Sequence, residues 1–168
     1  MKKVAVIIVL LMVWLVVNPG LWSQDKDRAE LAKAMAQTKV SLEQGLSASA
    51  HEGKPISAKF EIEDGKLQLS VYTVKGDKFS EVVIDHNTGK TAKTEPITSG
   101  EDLSAAKTQS ETMSKAKHSL SVALARVLKS NPGFRTVSIF PALKDGHPIA
   151  EVSLTKGDEW KTVSEKLD

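Results

Sequence analysis

Apolar and polar residues alternate strictly through Ile56, Ala58, Phe60 and Ile62, and again through Leu67, Leu69 and Val71. Period-two alternation puts every second side chain on one face, as in a strand with one buried side. Asp64-Gly65 separates the two runs, and Lys75-Gly76-Asp77 follows them before Phe79 and Val82. Asp-Gly between alternating runs is a hairpin signal, because both residues tolerate positive φ. The same order recurs 81 positions later: Asp145-Gly146 answers Asp64-Gly65, and Lys156-Gly157-Asp158 answers Lys75-Gly76-Asp77. Val137, Ile139, Pro141 and Leu143 match the first run. Pro148, Ala150 and Val152 match the second, and Trp160 and Val163 match Phe79 and Val82. Two turn signals in one register, with matching apolar positions between them, predict two copies of a three-strand antiparallel meander.

A helix pattern precedes each meander. Ser41 and Gln44 have the spacing of a capping box, with Leu42 and Leu46 four apart on one face. Leu120, Ala123, Leu124, Val127 and Leu128 form the i, i+3, i+4, i+7, i+8 stripe of a second helix, which Asn131-Pro132-Gly133 terminates. A bare three-strand meander is marginal in water, so each helix is expected to cover its sheet. The fold class that follows is α+β: two repeats of one helix packed on a three- to four-stranded antiparallel sheet. Asp25 to Ala36 has a charged, alanine-rich helical composition, with Leu31 and Met35 on one side. Pro96 to Ser110, rich in Thr, Ser, Gly, Glu and Asp, reads as a linker.

The beginning of the chain points to export. Lys2 and Lys3 precede 14 uninterrupted apolar residues, Val4 to Val17, and then Asn18-Pro19-Gly20. This is the layout of a secretory signal peptide, and the run is short of the ~20 residues of a spanning helix. The expected cleavage bond is Ser23–Gln24. Removing residues 1–23 takes away two lysines and leaves 21 basic and 21 acidic groups. A neutral chain lacks the positive field that phosphate backbones select, which argues against nucleic acid as a partner. The chain has no cysteine, so disulfides, thiolate zinc sites, thiol nucleophiles and cysteine-borne lipid are excluded.

Val40-Ser41-Leu42 opening a helix, the alternating strands, and Val83-Ile84-Asp85 followed by Asn87-Thr88-Gly89 resemble the PepSY domain. Lys90 to Thr94 would be the short strand that closes the unit. The second copy resembles the family through Asn131-Pro132-Gly133-Phe134, Val137, Ile139, Asp145-Gly146 and Trp160. It departs by lacking the Asp-x-x-Thr-Gly closure, so its last strand is expected to be short or frayed. The organisation expected is a signal peptide at 1–23, a helical arm at 24–37, module 1 at 38–95, a linker at 96–112, and module 2 at 113–168 with a truncated end. The resemblance implies exported, non-enzymatic proteins, with protease inhibition or regulation proposed for the family and no catalytic residues to carry over.

The remaining chemistry is sparse. His51, His86, His118 and His147 show no close metal-ligand spacing, and no G-x-S-x-G elbow or phosphate loop occurs. Asp85, Asn87, Thr88 and Gly89 form the turn motif of the resemblance, read here as turn chemistry. Phe79 and Trp160 are expected in the core. Glu61 and Glu63 are expected on the outer face of a one-sided sheet. No catalytic, cofactor or metal residue is nominated. The expectation is a periplasmic or secreted binding or regulatory protein that acts on an exported partner, with a protease as the candidate, through sheet faces or edges. The rival is a structural or sensory envelope accessory tethered by an uncleaved leader, with the membrane engaged through that leader alone.

Overall fold

The computed structural model describes residues 20–168, with side chains from Lys26 onward. Residues 1–19, which hold most of the signal peptide expected at 1–23, lie outside the described residues. The chain order is α1 (Gly20–Met35), α2 (Leu42–Ser49), β1 (Lys54–Glu63), β2 (Lys66–Lys75), β3 (Lys78–Ile84), β4 (Thr91–Ile97), α3 (Gly100–Ser114), α4 (Leu120–Ser130), β5 (Arg135–Lys144), β6 (His147–Lys156) and β7 (Glu159–Lys166). The seven strands make one antiparallel sheet in the order β4-β3-β2-β1-β5-β6-β7. The fold is α+β, as expected, and the two meanders are halves of one sheet, a point the sequence leaves open.

Local chemistry sets the strand boundaries. Asp64 and Gly65 both have positive φ, 49° and 72°, and Asp145 and Gly146 repeat this with 52° and 81°. Two consecutive positive φ values twist a two-residue turn to match its flanking strands. β5 and β6 begin 81 residues after β1 and β2, at 135 against 54 and 147 against 66. The pairing follows the same offset. Ala58 pairs with Val71 and Ile139 with Val152, and each first strand carries a bulge at the equivalent place, between Pro55 and Ser57 and between Thr136 and Ser138.

The centre of the sheet is a narrow seam. β1 and β5 pair only through Ala58 with Ile139 and Lys59 with Ser138. Ala58 and Ile139 occupy equivalent places in the two halves, so a pseudo-two-fold axis passes through this pair.

One face of the sheet carries most of the core. Ala58, Leu69, Val71, Val82, Ile84, Ile139, Ala150, Val152 and Leu154 are buried there. α2 lies on the first half, so close that a Cβ on Gly45 would sit 2.7 Å from Leu69 Cδ2. The capping box closes as expected: Ser41 N–H donates to Gln44 Oε1 at 2.8 Å and Gln44 N–H to Ser41 Oγ at 3.3 Å. α4 covers the second half, burying Leu120, Ala123, Leu124 and Val127. Leu42, Leu46, Leu120 and Leu124 are each at most 2% exposed, and burying each contributes roughly 1.5–3 kcal/mol.

Residues 96–112 depart from the linker expectation. Pro96 and Ile97 extend β4, and Gly100–Ser114 is helical. Serine and threonine favour loops through local hydrogen bonds, but here those bonds run within the helix, as from Thr112 Oγ1 to Thr108 O at 2.9 Å. Ala106, Thr112 and Met113 are buried. α3 packs against β1 and β5 on the face opposite α2, where Ser57 Oγ donates to Gln109 Oε1 at 2.6 Å.

Phe79 is buried in the core as expected, and Trp160 packs partly buried against it. Phe79 and Val82 differ by an odd number of positions and so lie on opposite faces. Phe79 pairs with Val74 and Ile97, while Val82 pairs with Val71. The end of the second half is pinned, not frayed. β7 pairs with β6 along its length, and Leu167 is fully buried. Leu167 N–H donates to Pro148 O at 3.0 Å, and its carbonyl accepts from Lys117 and His118 at 2.7 and 2.9 Å.

Candidate functional site

The turn after β3 gathers the residues of the family motif. Asp85 Oδ1 accepts from the backbone N–H groups of Asn87 and Thr88 at 2.8 and 2.9 Å. These two bonds hold its carboxyl below the usual carboxylate range. Gly89 N–H donates to Asp85 O at 2.8 Å, and Gly89 has φ 73°. His86 O accepts from Lys39 N–H at 3.1 Å and from Thr38 Oγ1 at 2.5 Å, and Gly89 lies against Val40. The motif therefore ties the end of β3 to the segment between α1 and α2. Asp85, Asn87, Thr88 and Gly89 are close together, with the Asp85 carboxylate occupied by backbone donors.

The histidines stay apart. His51 meets Glu52 at 3.1 Å, His118 lies 3.4 Å from Arg126, and His147 Nδ1 lies 2.7 Å from Asp168 Oδ2. The His147 contact lowers the Asp168 pKa. Among the described residues, no three His, Asp or Glu side chains gather as a metal site.

The face opposite α2 carries a hydrogen-bonded polar ladder. Lys59 Nζ meets Glu61 Oε2 at 2.5 Å, Ser70 Oγ donates to Glu61 Oε1 at 3.1 Å, and Gln68 Nε2 reaches Ser70 Oγ at 2.9 Å and Glu81 Oε1 at 3.4 Å. Glu61 and Glu63 thus face away from the α2 side, as the alternation predicts. Burial lowers the Lys59 pKa, but Glu61 and the Tyr72 phenol outweigh it and leave it raised. Burial pushes Tyr72 up to about 12, partly offset by Lys59.

Two shallow hollows, each of about 440 Å³, open on either side of this ladder. The first lies between the β1–β2 turn and β4. Glu63, Asp64, Glu81, Asp85 and Glu95 line it, against the cations Lys66 and Lys93. The second is a cleft where β1 and β5 part beyond their two-residue seam. Arg28, Lys59 and Lys161 line it, with Phe60, Val137, Phe140 and Trp160 as its apolar wall, and no carboxylate among its lining residues. The Arg28 guanidinium lies 5.8 Å from the Trp160 ring centroid, and Lys161 Nζ 3.7 Å from that of Phe134, distances at which a cation is attracted to the ring face.

The cleft is not visible in the sequence as a motif, since its side chains come from α1, β1, β5, β6 and β7. The 81-residue offset is the one available signal. It marks Lys59 and Phe140 as equivalent positions, but it does not say that β1 and β5 adjoin.

The profile of the peptidase propeptide and YPEB domain, PepSY, matches residues 29–95. Residues 29–95 are a PepSY domain. The PepSY match begins within α1, where the sequence reading starts its first module at residue 38. Packing gives the reason: Met35 is 1% exposed and Thr38 bonds the closing turn, so the end of α1 is built into the unit. Among solved structures, a Clostridium difficile 630 protein described as a "putative lipoprotein" matches at 16% identity and TM-score 0.37, over 71% of this chain and 79% of that one. No curated protein matches the chain.

Proposed function

We propose that this is an exported PepSY-type binding or regulatory protein of the cell envelope or exterior, acting without catalysis on an exported partner, with a protease as the first partner to test. The supporting observation is the exposed sheet. β4 and β7 end the strand order with their outer sides unpaired, and the ladder face between them carries α3 as its one helix among the described residues. An unpaired edge or an open face can take a peptide segment through main-chain hydrogen bonds and side-chain pockets. On this reading residues 113–168 act as a second PepSY-like module. The shared register of β1–β2 and β5–β6 supports that assignment.

The experiment is a titration of the mature protein against envelope metalloproteases, with affinity capture from an envelope extract. Dose-dependent inhibition or one stoichiometric partner is the expected result; neither appearing removes the reading. A tethered accessory is the second reading. α1 favours it, because that helix runs from Gly20 across the Ser23–Gln24 bond without a break. Mass spectrometry of the N-terminus separates the two: an intact Met1 supports a tether, and a start near Gln24 supports release.

A further inference from the structure

The two strands that end the sheet differ as edges. β4 is interrupted: Pro96 has no N–H to offer, and Ala92 is an extra residue where the ladder with β3 shifts between Val83 and Ile84. β7 contains no proline and pairs with β6 in unbroken register from Glu159 to Lys166. Its main neighbours are β6 and α4, and no strand lies on its outer side. The hydrogen bonds of that ladder show which backbone groups are free. Leu167 N–H donates to Pro148 O at 3.0 Å, so the pair one step beyond Ile149–Lys166 is a hydrogen-bonded one. Bonded and unbonded pairs alternate in an antiparallel ladder. Glu165, Val163 and Lys161 therefore bond to β6, while Trp160, Thr162, Ser164 and Lys166 turn both N–H and C=O outward. Such a run is a template for another strand, and natural sheets usually break or cover it. Side chains alternate too. Glu165 reaches Arg126 of α4 at 3.5 Å and Lys161 lies over Phe134, so both are on the face that α4 covers, with Val163 between them.

We propose that β7 is a dimerisation edge, paired antiparallel with β7 of a second copy of this chain about a two-fold axis at Val163. The proposal goes beyond the binding-protein reading above and does not depend on it. Three observations select a second copy as the occupant. The first is backbone pairing. Centring on Val163 sets Trp160 opposite Lys166 and Thr162 opposite Ser164, so every outward N–H and C=O of these residues is bonded in both copies. The second is charge. The same register sets Lys161 opposite Glu165 on both sides of the axis, in unbonded pairs, where opposed side chains come closest. Sliding two residues one way sets Glu159 against Glu165; sliding the other way sets Lys161 against Leu167 and Glu165 against Val163. Charge thus favours one register. The third is apolar exposure. Val122, 41% exposed, stands one helical turn before Arg126, on the flank of α4 that reaches towards β7. A two-fold axis perpendicular to the sheet puts both α4 helices on one face, with these flanks turned towards each other. The pair closes on itself, and the interrupted β4 keeps the joined sheet from growing further.

Sedimentation velocity on the full chain, in the form that export leaves, is expected to show a reversible monomer–dimer equilibrium below roughly millimolar concentration. Thr162→Pro removes an outward donor and leaves the β6 ladder intact, so association is expected to weaken about ten-fold or more. Lys161→Glu opposes carboxylates at two places, and Glu165→Lys opposes ammonium groups there. Each alone is expected to weaken association about ten-fold. Mixed in equal amounts, these two variants restore opposite charges across the axis and are expected to dimerise with one another at near-native strength. Circular dichroism melts verify that each variant is folded. A native chain that stays monomeric throughout overturns the proposal, as does association unchanged in folded Thr162→Pro. A mixture that associates no better than its separate components overturns the pairing centred on Val163. A monomeric chain that loses a captured partner on Thr162→Pro would give the edge to a strand of that partner, and also overturn it.

Discussion

The two halves of the sheet share strand lengths, turns, bulges and pairing register, yet they are finished differently. The first half is closed. α3 covers its ladder face, β4 extends it, and the Asp85–Gly89 turn binds it to the segment before α2. The second half has no such turn, no fourth strand among the described residues, and a cleft where α3's equivalent would sit. The residues after β7 are secured by buried Leu167, its backbone hydrogen bonds and the His147–Asp168 contact. The repeated register shows what the hairpin chemistry demands. The differences reach into the core, where Ala58 stands against Ile139 and Leu69 against Ala150, all fully buried, so the shared frame holds apolar places without fixing their size.

The largest expected effects test whether the halves are energetically one body. Leu46→Ala beneath α2 and Leu124→Ala beneath α4 each empty a fully covered site, costing about 2–5 kcal/mol. Urea denaturation followed by circular dichroism is expected to give one transition that either substitution lowers. A protein whose two halves unfold at separate midpoints would break the comparison at its root. Next is Gly53→Ala. A Cβ there would lie 2.8 Å from Val74 O, and backbone cannot yield as a side-chain tip can, so about 1–3 kcal/mol is expected to be lost. The equivalent position in the second half already holds Phe134, so the crowding belongs to the first half alone.

Gly89→Ala is a smaller change, costing roughly 1–2 kcal/mol for a positive φ in a non-glycine residue. The methyl has room beside Val40, so the loss is conformational and a thermal melt should show it without a change in secondary structure. Asp85→Asn acts on pH dependence. The native Asp85 carboxyl has a lowered pKa, so its stabilisation is present above the unfolded value near 3.9 and is lost as pH falls through the lower folded value. The substitution is expected to flatten that acid limb below about pH 4. Tyr72, the chain's one tyrosine, allows a direct optical check. Its raised pKa means that the folded state holds the phenolic proton longer, so stability declines as pH climbs from about 10 towards 12. Ultraviolet absorbance titration should place its ionisation near 12 in the native protein and near 10 in denaturant. Leu143→Ser, at a site 47% exposed, should stay within about 0.5 kcal/mol.

What could be read from the sequence was what is encoded locally. The Asp-Gly turns, the capping box at Ser41–Gln44 and the stripe from Leu120 to Val127 depend on residues a few positions apart, and each appears where its chemistry puts it. The single sheet was not legible, because the β1–β5 seam joins residues about 80 apart through two pairs with no turn between them. α3 is not legible for a related reason: its composition suits a loop, and burial of Ala106 and Met113 supports it as a helix packed on two distant strands. The cleft was hidden for both reasons at once. Its wall needs the seam, and its openness needs α3 to stand on the other side.

The seam at Ala58 and Ile139 has one more consequence. A residue that faces its own counterpart across an axis is what a self-complementary dimer contact looks like when both partners lie on one chain. α3 is then a tether as well as a lid, turning an encounter between two molecules into an intramolecular event at high effective concentration. The assembly of the whole sheet should for that reason be independent of dilution, whereas severing the chain between β4 and α4 would make it depend on how much of each piece is present.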